Sequence, residues 1–253
     1  MKKTKKISLA PIAVMLMLIG APAHAVPALQ LDIAGGTYDS ATQTIMASGN
    51  SFSLYAYGLS SGNGAVSGNY YLSMALLPVT SAAGSFGSFT IDGTTITATS
   101  GMTYGTAPIE TVESLQGWDS GDLPTHSIFP TYFAEQQFTF SATQSGIYNT
   151  QDNAGSGPIS GTGMYYKKFD FDISGLVAGY GLHFDLYNET ISVCGKAKNC
   201  TSGDVDVKNF APFSHDAQGM VTTIPEPETY AMLLAGLGLM GFVASRRRQR
   251  EVL

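Results

Sequence analysis

The sequence predicts an all-β body, an antiparallel β-sandwich of jelly-roll or immunoglobulin-like type, with a helix at each end of the chain. Three observations carry this expectation. Short runs of alternating apolar and polar residues recur between residues 26 and 222. Gly, Ser, Asn and Pro separate them, and no body segment keeps a convincing helical period beyond two turns. Only at the chain ends does the apolar pattern lengthen into unbroken runs. Many short strands with turn-rich connections point to a sandwich rather than to strands joined by crossover helices.

Taken in order, Ala28–Ile33 sets Leu29, Leu31 and Ile33 against Gln30 and Asp32. Ser51–Tyr57 sets Phe52, Leu54 and Ala56 against Ser53, Tyr55 and Tyr57. Asn69–Leu77 is a longer apolar strand ended by Pro78. Ser88–Ile91 and Thr94–Thr99 flank Asp92-Gly93, a hairpin turn signal. Gln136–Ala142 carries Phe138 and Phe140 on one face. Gly155–Gly163 is Gly/Ser-rich and reads as a loop. Met164–Ile173 sets Phe169, Phe171 and Ile173 against Asp170 and Asp172. Leu182–Tyr187 and Thr190–Cys194 complete the expected strands, and Glu110–Leu115 is the best candidate for a single helical turn. The 199 residues from 26 to 224 suffice for one sizeable core, and no internal repeat divides them.

The N-terminus places Lys2, Lys3, Lys5 and Lys6 before an apolar stretch from Ile7 to Ile19. Ala23-His24-Ala25 follows, with small residues at the two positions a signal peptidase reads. Charged region, apolar region and cleavage site make a secretory signal over residues 1–25. Pro11 and the short apolar run argue against a retained anchor, so Val26 is the expected mature N-terminus.

At the other end, Pro225-Glu226-Pro227-Glu228 precedes an apolar run from Tyr230 to Ser245, and Arg246, Arg247, Arg248 and Arg250 follow. A 16-residue helix would be about 24 Å long, somewhat short of a bilayer core of about 30 Å. Local thinning and snorkelling of the Arg side chains cover the deficit. Excess Arg marks the cytoplasmic side, which leaves the body outside. Gly236-Leu237-Gly238-Leu239-Met240-Gly241 spells a dinucleotide fingerprint, but it lies inside the apolar span with no strand before it. Small residues there suit close helix packing instead.

Residues 223–253 strongly resemble the PEP-CTERM sorting signal of Gram-negative bacteria. Pro225, Glu226 and Pro227, the stretch LLAGLGLMGFVA and the Arg cluster stand in the order that signal requires. The resemblance implies processing by an exosortase, a membrane protease or transpeptidase, and a producer of extracellular polysaccharide. It covers about a tenth of the chain and implies no activity for the body. The body resembles the secreted choice-of-anchor families over PALQLDIAGGTYDS, SFSLYAYG, HSIFPTYFAE, HFDLYN and APFSHDA. That resemblance implies a surface protein without known catalysis and supplies no active-site residues.

Charge excludes one class of partner. Residues 26–224 hold five Lys, no Arg and 16 Asp or Glu, a formal charge of −11. Without Arg the body lacks the bidentate phosphate contacts that nucleic-acid binders favour, and its charge repels nucleic acid. Cys194 and Cys200 enclose five residues. In an oxidising compartment they read as one local disulfide, whose small loop limits its contribution to about 2 kcal/mol or a little more. Two thiols without a nearby His fill only half a tetrahedral zinc shell.

The body's chemistry-bearing residues are sparse. Asp170 and Asp172 lie two apart on a strand and face one side, as calcium candidates of weak specificity; Asp204 and Asp206 repeat the spacing. His126, His183 and His215 each have an acid nearby, Asp122, Asp185 and Asp216 respectively. A shared metal site would require the fold to gather them, because pairwise ligand spacings are absent. Glu110 and Glu113 are the only close Glu pair in the body with glycosidase-like potential. H-E-x-x-H does not occur, and the one G-x-S-x-G match, Gly58-Leu59-Ser60-Ser61-Gly62, runs on into Gly- and Ser-rich sequence rather than the helix a nucleophile elbow needs. Tyr55/Tyr57, Tyr70/Tyr71, Tyr165/Tyr166 and Trp118 could stack on sugar rings, although Tyr also simply suits sheets.

The expectation is therefore an exported bacterial surface or extracellular-matrix protein without catalysis and without a cofactor. Its expected partners are signal peptidase, exosortase and, transiently, the inner membrane, with release to the cell surface or medium. The alternatives are a module that binds extracellular polysaccharide, and a secreted polysaccharide hydrolase.

Overall fold

Alternation along the strands sorts side chains onto two faces, and the two sheets that result press their apolar faces together. A computed structural model of the chain describes residues 25–59, 66–107, 127–188, 192–193, 203–204, 210–221 and 232–240. The strands in chain order begin with β1 (Leu29–Ile33), β2 (Thr37–Asp39), β3 (Thr44–Met46), β4 (Ser51–Leu59) and β5 (Tyr70–Leu77). Next come β6 (Ser88–Ile91), β7 (Thr94–Thr97), β8 (Thr103–Gly105), β9 (Thr131–Phe138) and β10 (Gln144–Gly146). Then follow β11 (Gly163–Asp172), β12 (Gly181–Asn188), β13 (Ser192–Val193), β14 (Gly203–Asp204) and β15 (Asp216–Met220).

The first sheet has the order β1-β4-β11-β6-β7, and β10 also pairs with β11. The second has the order β2-β3-β15-β12-β5-β9-β8, while β13 and β14 pair by themselves. Among the described residues all pairings are antiparallel except β3 with β15, where Thr44 meets Asp216 and Met46 meets Gln218. The described residues of the body are thus all-β, in agreement with the sequence.

Leu29, Leu31 and Ile33 of β1, Leu54 and Ala56 of β4, and Phe169 and Phe171 of β11 enter the core from the first sheet. Leu72, Met74 and Leu76 of β5 and Leu182, Phe184 and Leu186 of β12 meet them from the second. Aromatic contacts cross between the layers. The Phe184 ring lies 4.8 Å from Phe171 and 5.9 Å from Phe52, and Phe138 lies 5.2 Å from Phe169. At Asp92-Gly93 both residues have positive φ, 48° and 80°, as a tight two-residue hairpin turn requires.

Differences from the sequence expectation have local causes. The strand expected at Gln136–Ala142 runs instead from Thr131 to Phe138, starting just past Pro130, which has no amide proton for a ladder. Phe140 falls beyond the strand, yet its ring packs 4.7 Å from Tyr70. The strand expected at Thr190–Cys194 is limited to Ser192–Val193 among the described residues. The expected helical turn at Glu110–Leu115 lies outside the described residues.

The second sheet is also buried on its outer face around β12. Every residue of β12 from Gly181 to Tyr187 is buried. Ala75, Ala107, Phe133 and Tyr187 form a second small core there, with Tyr71, Ile128, Phe129 and Phe210 packed on it. A 3-10 turn at Phe213–His215 then delivers the chain into β15.

In the tail, residues 232–240 are helical. That length is about 13 Å. Met232, Leu233, Leu234, Leu237, Leu239 and Met240 are exposed on it. No helix among the described residues is long and apolar enough to cross a membrane. The remainder of the run expected to span, and the signal region 1–24, lie outside the described residues.

Candidate functional site

The strand order of the second sheet places β12 between β5 and β15, and this gathers one His and two Asp among the described residues. On β12, Leu182, Phe184 and Leu186 face the core, so His183 and Asp185 face the opposite side. Register pairs Asp185 with Ser73 of β5 and Phe184 with Ala217 of β15. One step further along, Asp216 stands beside Asp185.

The three side chains converge. His183 Nε2 lies 3.4 Å from Asp185 Oδ1 and 3.6 Å from Asp216 Oδ2. One donor atom from each residue fits within 4.8 Å of the others. His183, Asp185 and Asp216 are 2%, 4% and 1% exposed, so water screens this charge poorly. The Ser73 hydroxyl donates to Asp185 Oδ2 at 3.0 Å and fixes that carboxylate. Burial alone would lower the pKa of the His183 imidazolium, but Asp185 and Asp216 beside it push it up to about 10. Burial, reinforced by the charge of Asp185, holds the Asp216 carboxyl well above the usual carboxylate range. The arrangement can store a proton between two carboxylates, or hold a cation in their place.

Sequence reasoning named His183, Asp185 and Asp216 but paired them differently, joining His215 to Asp216 by adjacency. His215 ends the 3-10 turn that precedes β15, and its ring goes to other partners than Asp216. Its Nε2 donates to Asn149 Oδ1 at 3.0 Å, and Ser214 Oγ lies 2.9 Å from its Nδ1. His126 and Asp122 lie outside the described residues.

On the first sheet, Asp170 accepts from Ser53 Oγ at 2.7 Å and from Lys168 Nζ at 2.9 Å. Lys168 and Ser53 hold the Asp170 carboxyl below its usual range. Asp172 accepts from the Ser174 amide at 2.9 Å. Lys168 and Asp170 form an exposed ion pair at 2.7 Å on this face. Asp204 and Asp206 have no described side chains.

A second buried polar group appears on the outer face of β1, with no motif to announce it. Asp32 is fully buried. Its Oδ1 accepts from the Gly155 amide at 2.8 Å, and its Oδ2 from the Gly157 amide at 3.1 Å and Tyr148 OH at 3.0 Å. Tyr148 OH also lies 2.8 Å from Tyr57 OH. A hydroxyl has one proton, so Tyr148 gives its own to the carboxylate and accepts from Tyr57. Burial raises the Asp32 pKa, opposed by bonds from Gly155, Tyr148, Gly157 and the Ile33 amide. Next to it, Gln30 donates to the Tyr148 carbonyl at 2.8 Å and accepts from the Thr150 amide at 3.1 Å. Tyr55, Tyr57 and Tyr166 share this face, with ring centroids 5.8 to 6.2 Å apart. Tyr165 belongs to the same strand, whereas Tyr70 turns to the core and Tyr71 stacks 6.0 Å from Tyr187.

The expected signal-peptidase site touches the body. The Ala25 carbonyl accepts from Asn149 Nδ2 at 3.0 Å, and Val26 packs against the cluster of Tyr57, Tyr148 and Met164. Ala23, Cys194, Cys200, Pro225, Glu226, Pro227 and the Arg residues 246, 247, 248 and 250 lie outside the described residues. So do Trp118, Glu110 and Glu113.

Comparison with known proteins bears on the tail. The PEP-CTERM protein-sorting motif matches residues 223–248. No curated protein and no solved structure matches the chain. The choice-of-anchor resemblance of the body therefore gains no support. The motif marks the chain as carrying a sorting signal, and it implies exosortase targeting, export and processing toward the cell surface.

Proposed function

We propose that this chain is an exosortase-processed surface or extracellular-matrix protein whose β body, residues 26–222, acts without catalysis. The observation that carries the reading is the sorting motif at residues 223–248. An N-terminal signal and an acidic body without Arg support it. The tail serves as a transient single-pass anchor in the inner membrane, with the body outside and the Arg cluster inside. Pro225 and Pro227 fix φ and lack amide donors, so the motif resists joining a helix or a sheet ladder. An extended segment beside the bilayer is what a processing enzyme needs.

The test is replacement of Pro225, Glu226 and Pro227 with alanine in an exosortase-proficient host. The full-length variant should accumulate in the inner membrane, while wild type is cut and released. Equal processing and release of both would remove the proposal.

A second reading, binding of extracellular polysaccharide, rests on the outer-face Tyr group. Tyr55 and Tyr166 are partly exposed there and could offer ring faces to sugars, although Tyr57 is buried beneath them. A glycan array separates the readings. Retention of a specific glycan that Tyr55→Ala and Tyr166→Ala abolish would favour the second.

A further inference from the structure

We propose that His183, Asp185 and Asp216 hold one divalent transition-metal ion of the zinc class, on the buried outer face of the second sheet. The first argument is distance. Two ligand atoms about 2.1 Å from one tetrahedral ion lie about 3.4 Å apart. His183 Nε2 stands 3.4 Å from Asp185 Oδ1 and 3.6 Å from Asp216 Oδ2. These separations fit two edges of a coordination shell.

Charge is the second argument. A neutral imidazole with two ionised carboxylates carries two negative charges at a buried point, where a divalent ion is attracted to both. One divalent ion balances them. Donor chemistry selects the ion. Imidazole nitrogen suits zinc, iron, nickel and copper, whereas calcium seeks six to eight oxygens. The surrounding structure is the third argument. Two adjacent strands, β12 and β15, carry the ligands, and from the next strand, β5, the Ser73 hydroxyl orients Asp185 by a 3.0 Å bond to its other oxygen. The competing occupant is a proton, with His183 as imidazolium and one carboxyl protonated.

Burial sets the kinetics. An ion enclosed at this depth enters as the sheet forms and leaves only as the sheet opens, so it should resist dialysis. The experiment uses the full-length chain in detergent, unfolded in urea with a chelator, desalted and refolded with or without zinc. Elemental analysis after dialysis should find about one zinc per chain, and cobalt in its place should give the visible absorption of a low-coordinate site. Zinc present at one hundred times its dissociation constant multiplies the folded-to-unfolded ratio about 100-fold, which raises the melting temperature. Asp216→Asn and His183→Gln should each lose the ion and the shift while keeping the far-ultraviolet spectrum. Should either variant fail to fold, the cobalt spectrum and stoichiometry of wild type decide alone. Wild type that refolds without retaining zinc or cobalt overturns the proposal. So does an ion, calcium included, that both folded variants retain.

Discussion

Asp32→Asn probes the buried network that ties the 147–157 segment to the first sheet. Asparagine matches the shape of aspartate but replaces one oxygen with an amide donor. Whichever way it turns, that donor faces a donor. On one side stands the Gly155 amide, on the other the Gly157 amide and Tyr148 OH. A buried group deprived of its partner costs about 1–3 kcal/mol. With one or two groups stranded and partial relaxation of the segment, the expected loss is about 3 kcal/mol. At about 2–4 °C per kcal/mol for a body of this size, the melting temperature should fall by about 6–12 °C. Urea unfolding of the exported protein, followed by circular dichroism, measures the loss. Hydrogen exchange at the Gly155 and Gly157 amides locates it. A change below about 0.5 kcal/mol, with both amides still protected, would refute the claim that Asp32 latches this segment.

Other outcomes follow from single contacts. Gly155→Ala should destabilise by at least about 2 kcal/mol in the same urea assay, because φ there is +79° and an added Cβ would sit 2.3 Å from the Gly36 carbonyl oxygen. Phe184→Ala, which removes the ring touching Phe52 and Phe171 across the layers, should cost about 3–5 kcal/mol by denaturant titration. Lys168→Met should raise the pKa of Asp170 toward the ordinary 3.8, read by carboxyl NMR. The sign is that of a depressed carboxylate. Its stabilising contribution is present above the unfolded pKa and lost as pH falls through the folded one, and the variant should lose part of that acid-limb dependence.

The first layer of the sandwich was readable because its strands alternate cleanly. Leu29, Leu31 and Ile33 turn inward while Gln30 and Asp32 turn outward, and Phe169 and Phe171 oppose Asp170. Several other strands were not readable, for a physical reason. β2, β3, β8 and β10 have three residues each, too few to show a period. β15 reads Asp-Ala-Gln-Gly-Met, a poor strand by propensity, and its position between β3 and β12 supplies the pairing its residues do not demand. The same limit hid the metal-type cluster. Alternation around His183 and Asp185 resembles a solvated face, and nothing local reveals that other chain covers it. Asp216 reaches the pair through a strand contact, not through its neighbour His215. The tail was legible in full as a motif, since its information is local.

The parallel pairing of β3 with β15 has a consequence for the order of events in export. Translocation proceeds from the N-terminus, so β3 emerges early and β15 is the last body strand to emerge. Until it does, a slot stays open in the second sheet between β3 and β12, with two unsatisfied edges. The missing strand ends at Met220, and the sorting motif begins at residue 223. Residues 189–215 join β15 to β12, so its entry into the slot is an intramolecular event that can be complete once the chain just before the motif is outside.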